Sequence, residues 1–318
     1  MKIVYIGNHL PEHSTETHVA QAFEDVGVEV VRIQENVPWQ WETIQDHRDA
    51  AFVLWTRTWD MPHMRPGRER IRQLGLPLVG YHLDRWWGLK REHEIREHPF
   101  FTADLLITAD GGHDEQWKEA GILHRWLPPA VSRFECVPAR KSIDYYAEVA
   151  FVGSWRNYHA EWTHRRELVS FLFSKFGHKF RAFPSEGQPA IRGEELRKLY
   201  ATTLVNVGDS CLIGGATRYI SDRVPETLGR GGFLIHPRVK GIVGDAGAGK
   251  EAHVYVEGQH LATWDFGDWR DLERQIRFYL NEPEARREIA SVGKLHVLAH
   301  HTYSVRARQI VRFAESLL

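Results

Sequence analysis

Between Lys2 and Asp110, short runs of apolar residues alternate with polar or amphipathic segments. The segment Thr15–Gly27 carries Val19 and Phe23 one helical turn apart and ends at a glycine, which predicts an amphipathic helix. The apolar runs have the length of buried strands. They are Lys2–Gly7, Val28–Ile33, Ala50–Thr56, Leu76–His82 and Ala103–Asp110. Strands that alternate with helices predict a parallel α/β sheet.

The same alternation restarts after Leu127–Glu148, an irregular, proline-containing segment that is suited to a linker. The pattern predicts strands at Val149–Trp155, Lys179–Pro184, Leu204–Ser210 and Phe233–Pro237. It predicts helices at His159–Gly177, Gly193–Thr203, Asp222–Gly231, Trp269–His301 and Ser304–Leu318. We therefore expect an α/β protein with two Rossmann-like domains that face a cleft, at residues 1–135 and 148–300. A C-terminal helix at 301–318 is expected to pack back on the first domain.

The composition is consistent with the predicted α/β domains. The chain has 42% hydrophobic and 26% charged residues, which is typical of a soluble globular protein. It has no long apolar run, and its N-terminus enters a strand pattern without a signal-peptide core, so we expect no membrane span and a cytoplasmic location. The two cysteines are far apart, which argues against a disulfide framework or a zinc site.

The net charge of −1 gives no overall basic field for nucleic acid. The two halves differ, however. Residues 1–132 contain 14 Lys and Arg against 20 Asp and Glu, a net charge of −6, and the remainder therefore carries +5. The sign suits a C-terminal half that binds an anion.

The segment Gly241–Glu251 matches the opening of a phosphate-binding P-loop at Gly244, Gly249 and Lys250. The match fails at Glu251, where a P-loop needs Ser or Thr to hold Mg²⁺. We therefore interpret this segment as a glycine-rich surface loop.

Ligands of an open parallel sheet bind at the carboxyl ends of its strands. We therefore expect the binding residues in the loops that follow strands. In the second half, Arg218 and Arg223 flank the start of a predicted helix, and Glu226 lies in its first turns. Arginines suit phosphate oxygens and a carboxylate suits ribose hydroxyls, although a capped amphipathic helix explains the pattern equally well. The turn Gly153–Ser154 with Arg156 also suits a pyrophosphate, against the alternative of a plain β–α turn.

In the first half, Asp84 follows a predicted strand, and a general base there is one interpretation, with a structural helix cap as the other. His9 and His13 are further candidate bases, and their spacing does not indicate a metal pair. Aromatic and cationic residues in the same half suit an acceptor site that stacks bases and binds phosphates. These residues are Arg57, Trp59, Arg65, Arg68 and Trp86. A hydroxymethylated DNA base is therefore one possible acceptor, although the acidic first half opposes it.

Several segments together resemble GT-B glycosyltransferases, and most closely the CgeB-like, spore-maturation type related to glycosyltransferase group 1. Arg223 and Glu226 match the family's Arg-x-x-Glu motif, which is followed by glycine and Leu-Ile. Three further segments match, over residues 148–318 as a whole. They are Gly249–Glu251 with Tyr255, Tyr279–Gly293, and His301–Tyr303 with Arg306.

The resemblance implies transfer of a sugar, a hexose, from a nucleoside-diphosphate sugar, with UDP as the expected nucleotide, to a hydroxyl acceptor. It implies that Glu226 binds the ribose with Thr227 beside it, and that the diphosphate meets Arg223, Arg156, Arg218 and the Gly153–Ser154 turn. No metal or other cofactor is expected, since the sequence contains no Asp-x-Asp triplet. Inversion would need a base, whereas kinship with group 1 favours retention. A polysaccharide, protein or small-molecule acceptor stays open, as does a non-catalytic nucleotide-sugar-binding protein.

Overall fold

The computed structural model describes residues 1–154, 159–213, 218–244 and 254–318. The P-loop-like residues Gly249, Lys250 and Glu251 lie outside the described residues. Within the described ranges, no helix combines the length and the apolar character that crossing a membrane requires. The chain divides into two compact units, Met1–Pro128 with Tyr303–Leu318, and Pro129–Thr302.

The first unit contains a six-stranded parallel sheet in the order β2-β1-β3-β4-β5-β6. Its strands are β1 (Lys2–Gly7), β2 (Glu29–Gln34), β3 (Phe52–Trp55), β4 (Leu78–His82), β5 (Leu105–Thr108) and β6 (His124–Trp126). Its helices are α1 (Thr15–Asp25), α2 (Pro38–Glu42), α3 (Met64–Gln73), α4 (Glu94–Glu97), α5 (Asp114–Glu119) and α11 (Tyr303–Ala314). The central strands are apolar on both faces because helices cover both sides, as in other parallel sheets.

Local sequence signals explain the start of this unit. Ser14 caps α1, since its hydroxyl oxygen accepts a hydrogen bond of 3.0 Å from the Thr17 amide. Gly27, with φ of 83°, ends the helix turn and leads into β2. The last helix, α11, is part of the same unit. Its Ser304 donates a hydrogen bond of 2.8 Å to Asp25 at the end of α1.

The second unit contains a five-stranded parallel sheet in the order β13-β10-β9-β7-β8. Its strands are β7 (Val149–Val152), β8 (Phe180–Phe183), β9 (Val205–Val207), β10 (Leu234–Pro237) and β13 (Ala262–Trp264), and a separate pair is formed by β11 (Val243–Gly244) and β12 (Tyr255–Val256). Its helices are α6 (His164–Phe176), α7 (Gly193–Thr202), α8 (Arg223–Gly229), α9 (Trp269–Asn281) and α10 (Pro283–His300). The predicted α/β class with parallel sheets in both halves is confirmed.

Three details differ from the predicted elements. The single helix expected at Trp269–His301 is two helices, because Pro283 cannot continue α9 and instead occupies the first position of α10. The helix expected from His159 begins at His164. The short strands β6, β11 and β13 were not predicted.

Candidate active site

The carboxyl end of β7 forms the centre of a pocket in the second unit. Gly153 follows the strand with φ of 145°, a conformation that side chains rarely adopt. A Cβ atom at this position would lie 3.6 Å from Nε of Arg223. The backbone conformation of the turn therefore favours glycine, and the distance to Arg223 is that of an ordinary van der Waals contact.

The pocket has a volume of about 370 Å³, within the range of small-ligand sites. The predicted donor residues Gly153, Ser154 and Arg223 all line it, which brings together two segments that are 70 residues apart in sequence. The remaining lining residues are Val152, Phe183, Pro184, Ser185, Glu186, Gly187, Gln188, Ala190, Ile191 and Arg192. The predicted Arg156 lies outside the described residues.

Arg223 and Glu226 form an ion pair across one turn of α8, and their side chains are 21% and 19% exposed. Burial opposes the charge of Arg223, but the carboxylates of Glu226 and Asp222 raise its pKa, so the guanidinium stays charged. Thr227 is only 2% exposed and packs near Gly232 in the interior. The structure therefore gives Thr227 a packing position in place of the expected donor contact. Arg218 is exposed.

A buried carboxylate that the sequence analysis missed fixes the β7 turn. Asp209 follows β9, and its Oδ2 atom accepts hydrogen bonds from Nε1 of Trp162 at 2.9 Å and from Nε of Arg165 at 2.8 Å. Arg165 also donates to the Ser154 carbonyl at 2.9 Å. Burial opposes ionisation, but the bonds from His164, Arg165 and Trp162 lower the pKa of Asp209. An ionised Asp209 thus holds Ser154 in place through Arg165.

A second buried contact joins the ends of β9 and β10. The Ser210 hydroxyl donates to Nε2 of His236 at 2.9 Å, because Nδ1 of His236 donates to the Pro237 carbonyl at 2.8 Å. The Ser221 amide donates to the same Ser210 oxygen at 2.9 Å. Burial lowers the pKa of His236 to about 4, so the imidazole is neutral at neutral pH. This arrangement is structural, since Ser210 and His236 are both fully buried.

The predicted bases of the first unit differ in accessibility. The Asp84 side chain is 49% exposed, with Nη2 of Arg91 at 3.5 Å. Nε2 of His9 lies 3.1 Å from the Tyr5 carbonyl and donates to it, and the other ring nitrogen, Nδ1, is buried. Burial also lowers the pKa of His9 to about 4. His13 is partly buried and its ring centroid lies 6.1 Å from that of His18. Asp84 is the one carboxylate of the predicted set, and about half of its side chain is exposed.

Asp110 positions the loop that carries Asp84. Its Oδ2 atom accepts hydrogen bonds from the amides of Trp86 at 2.8 Å and Trp87 at 2.9 Å. Trp86 is only 1% exposed, and the Arg91 guanidinium lies 3.8 Å from its ring centroid. The expectation that Trp86 forms a wall of an acceptor pocket is therefore wrong, because its ring is part of the core.

Among the other predicted acceptor residues, Arg65 lines a second pocket, of about 470 Å³, after β3, whereas Arg57, Trp59 and Arg68 are not among its lining residues. Its lining residues are Asp60, Met61, Pro62, Arg65, His93, Glu94, Glu97, His98 and Pro99. Arg65 donates to the Glu97 carbonyl at 2.9 Å, and Arg57 pairs with Glu94 at 2.5 Å. Trp59 is partly buried against the core. Arg57 and Arg65 are thus already bound to other groups of the protein. The carboxylates of Asp60, Glu94 and Glu97 are part of the pocket lining.

Glu35 was also missed by the sequence analysis and anchors the loop next to this pocket. Its carboxylate accepts hydrogen bonds from Nε1 of Trp55 at 2.8 Å and from the amides of Thr58 at 2.8 Å and Trp59 at 3.2 Å. The side chain is fully buried, and burial raises the pKa of Glu35 to about 7. Glu35, which follows β2, thus fixes the backbone that carries Trp59 by accepting three hydrogen bonds.

Solved structures with the same architecture cover nearly the whole chain. Sucrose-phosphate synthase from Thermosynechococcus elongatus has 11% identity and a TM-score of 0.61 over 100% of this chain and 99% of that one. HepE of Anabaena, in complex with UDP and glucose, has 12% identity and a TM-score of 0.63 over 99% and 100%. An α-glucosyltransferase in complex with UDP and a 13-mer DNA containing an HMU base has 10% identity and a TM-score of 0.69 over 99% of each chain.

The fold is therefore that of the GT-B glycosyltransferases, as the sequence resemblance implied. The Glycosyl transferase-like family matches residues 135–312, more than half of the chain, and the protein belongs to that family. No curated protein sequence matches the chain. The narrower CgeB-like type stays a prediction.

Proposed function

We propose that this protein transfers a sugar from a UDP-sugar to a hydroxyl acceptor without a metal ion. The observation that carries the proposal is the pocket in which the Gly153–Ser154 turn meets Arg223. A GT-B relative, HepE, has been solved with UDP and glucose. The family assignment supports glycosyl transfer, and the arginines that line the pocket favour an anionic donor.

The chemistry of the pocket suits a diphosphate leaving group. Arg223 lies next to the Gly153–Ser154 turn, and both line the same pocket. A guanidinium binds two phosphate oxygens at once and stabilises the charge that develops as the diphosphate departs. Arg223 is paired with Glu226 in the structure. We infer that the diphosphate takes over this guanidinium, which leaves the Glu226 carboxylate to accept hydrogen bonds from the ribose hydroxyls.

A thermal-shift panel tests the donor. We expect UDP to raise the melting temperature by several degrees more than GDP, TDP, ADP or ATP, and equally in Mg²⁺ and in EDTA, because a ligand that binds the native state stabilises it. Glu226→Ala is expected to abolish the shift. The control Glu284→Ala removes an exposed glutamate that also pairs with an arginine three residues away, and it should leave the shift unchanged.

The opposite pattern would contradict the proposal. A shift seen only with Mg-ATP and lost in Lys250→Ala would show that the P-loop interpretation of Gly244–Lys250 is correct. A UDP shift without any release of UDP from UDP-glucose would favour a non-catalytic nucleotide-sugar-binding protein.

A hydroxymethylated DNA base is a more specific candidate than a hydroxyl acceptor in general. Two observations favour it: the arginines on and before α3, and the GT-B relative that was solved with DNA containing an HMU base. The engagement of Arg65 and Arg68 with backbone carbonyls opposes it, as do the three carboxylates of the adjacent pocket. The proposal that the first unit binds a hydroxyl acceptor does not depend on whether that acceptor is DNA.

Retention on DNA decides the acceptor question. If DNA is the acceptor, Arg65→Ala with Arg68→Ala is expected to weaken binding at low salt, because each lost phosphate contact lowers affinity. Arg48→Ala with Arg125→Ala is the control, since it removes the same charge at exposed positions outside α3. Equal retention of hydroxymethyluracil-containing DNA by both double variants would exclude this arginine surface as a DNA site.

A further inference from the structure

Four histidines of the second unit gather around the end of α10. His296 and His300 lie one turn apart on the helix, His301 follows it, and His260 precedes β13. The ring centroid of His296 lies 3.8 Å from that of His260, and 5.0 Å from those of His300 and His301. None of these residues lines the two pockets described above.

The backbone holds this cluster in a defined position. A Cβ atom at Gly293 would lie 2.3 Å from the His260 carbonyl oxygen, so only glycine allows α10 to pack this close to the turn before β13. The Val256 amide donates a hydrogen bond of 3.0 Å to Nδ1 of His260. His260 is thereby fixed with its ring stacked on His296.

The Nε2 atoms of His296 and His301 face each other at 3.2 Å. Two imidazole nitrogens that bind one tetrahedral Zn²⁺ at 2.0–2.1 Å lie about 3.3 Å apart. The two rings thus already have nearly the separation of a metal-bound pair. Nε2 of His296 also lies 2.6 Å from the Val254 carbonyl and donates its proton there, and metal binding would displace that proton.

We propose that His296 and His301, joined by the exposed His300, bind a borderline divalent transition-metal ion such as Zn²⁺. Imidazole is the preferred protein ligand of this class of ions, and histidines four residues apart on a helix present their rings on one face. His300 reaches the ion by a change of side-chain rotamer, and water completes the tetrahedron. The ion would bind the end of α10 and so stabilise the second unit. This ion plays no part in the donor chemistry proposed above, which needs no metal.

Co²⁺ titration of the EDTA-treated, full-length protein tests the site, because tetrahedral Co²⁺ has a characteristic visible spectrum and Zn²⁺ displaces it. We expect one equivalent to bind, and at least about tenfold weaker binding in His296→Gln and in His301→Gln. His178→Gln, at an exposed position on the same unit, is the control and should bind as the wild type does. If His301→Gln fails to fold, the exposed His300→Gln keeps the test available.

Two results would overturn the assignment. Equal Co²⁺ affinity in the wild type and in His296→Gln would exclude the cluster as a binding site. Loss of the spectrum in His13→Gln, with its retention in His296→Gln, would place the ion in the first unit. Since UDP binding is measured separately, neither result bears on the proposed glycosyl transfer.

Discussion

Replacing Arg223 with alanine is expected to lower kcat/KM for UDP release from UDP-glucose by about 10²–10³-fold, the usual cost of losing one preorganised group that stabilises developing negative charge. Arg223 is about one-fifth exposed and adjoins the Gly153 turn in a confined pocket, so its charge is only partly screened by water. Because the pair is about four-fifths buried, removing Arg223 also takes this partner from Glu226, so the melting temperature of the variant is measured beside its kcat/KM.

Two further variants separate catalysis from stability. Arg223→Lys keeps the charge but loses the two-pronged contact with phosphate, and we expect an intermediate loss of kcat/KM. Arg274→Ala removes an arginine that pairs with Asp271 across one turn of α9, and it should leave kcat/KM unchanged. Wild-type kcat/KM in a folded Arg223→Ala variant would show that the diphosphate is bound elsewhere.

The fold was predictable where the core imposes a pattern on the sequence. Central strands such as β1 and β7 are buried on both faces and therefore form continuous apolar runs. Edge strands are different: β6 is only three residues long, has the sequence His-Arg-Trp and is half-buried, so its pattern does not differ from that of a loop. The break before Pro283 could have been predicted from proline chemistry alone.

The site was predictable only in part, and for a different reason. A glycine after a buried strand and an arginine at a helix start are local signals, and Gly153 and Arg223 do meet in one pocket. Local sequence does not show which way a loop side chain points, so Trp86 was assigned to a wall although its ring is in the core. The anchors Glu35 and Asp209 were missed because their partners lie about 20 or more residues away in the chain.

Acidification is expected to destabilise the protein strongly between pH 7 and pH 5. Burial lowers the pKa of His82 and of His236 to about 4, whereas in the unfolded chain both titrate near pH 6.5. Between these values the unfolded state binds more protons than the native state, so the free energy of unfolding falls as the pH falls. Each of the two fully buried histidines accounts for about 2 kcal/mol over this interval.

Other groups change the size of the effect but not its sign. The pKa values of His9, His98 and His260 are lowered by burial to about 4, and that of His124 to about 3, so these less buried groups act in the same direction. Glu35 acts in the opposite direction, because burial raises its pKa to about 7 and the native state takes up its proton first. Its contribution offsets about one histidine, and Glu16 and Asp110, whose pKa values are also raised by burial, act in the same direction as Glu35. A net loss of several kcal/mol in the free energy of unfolding is a large part of the about 5–15 kcal/mol that is typical of a folded protein.

Urea unfolding at pH 8, 7, 6 and 5 measures this dependence. His236→Gln is expected to lower the free energy of unfolding at pH 7, since it disturbs the contacts with Ser210 and the Pro237 carbonyl, and to reduce the loss between pH 7 and 5 by about 2 kcal/mol. The control His178→Gln replaces an exposed histidine and should reproduce the wild-type slope. A slope that His236→Gln leaves unchanged would mean that His236 is already protonated in the native state at pH 5, and its hydrogen bond with Ser210 would then have to be reversed.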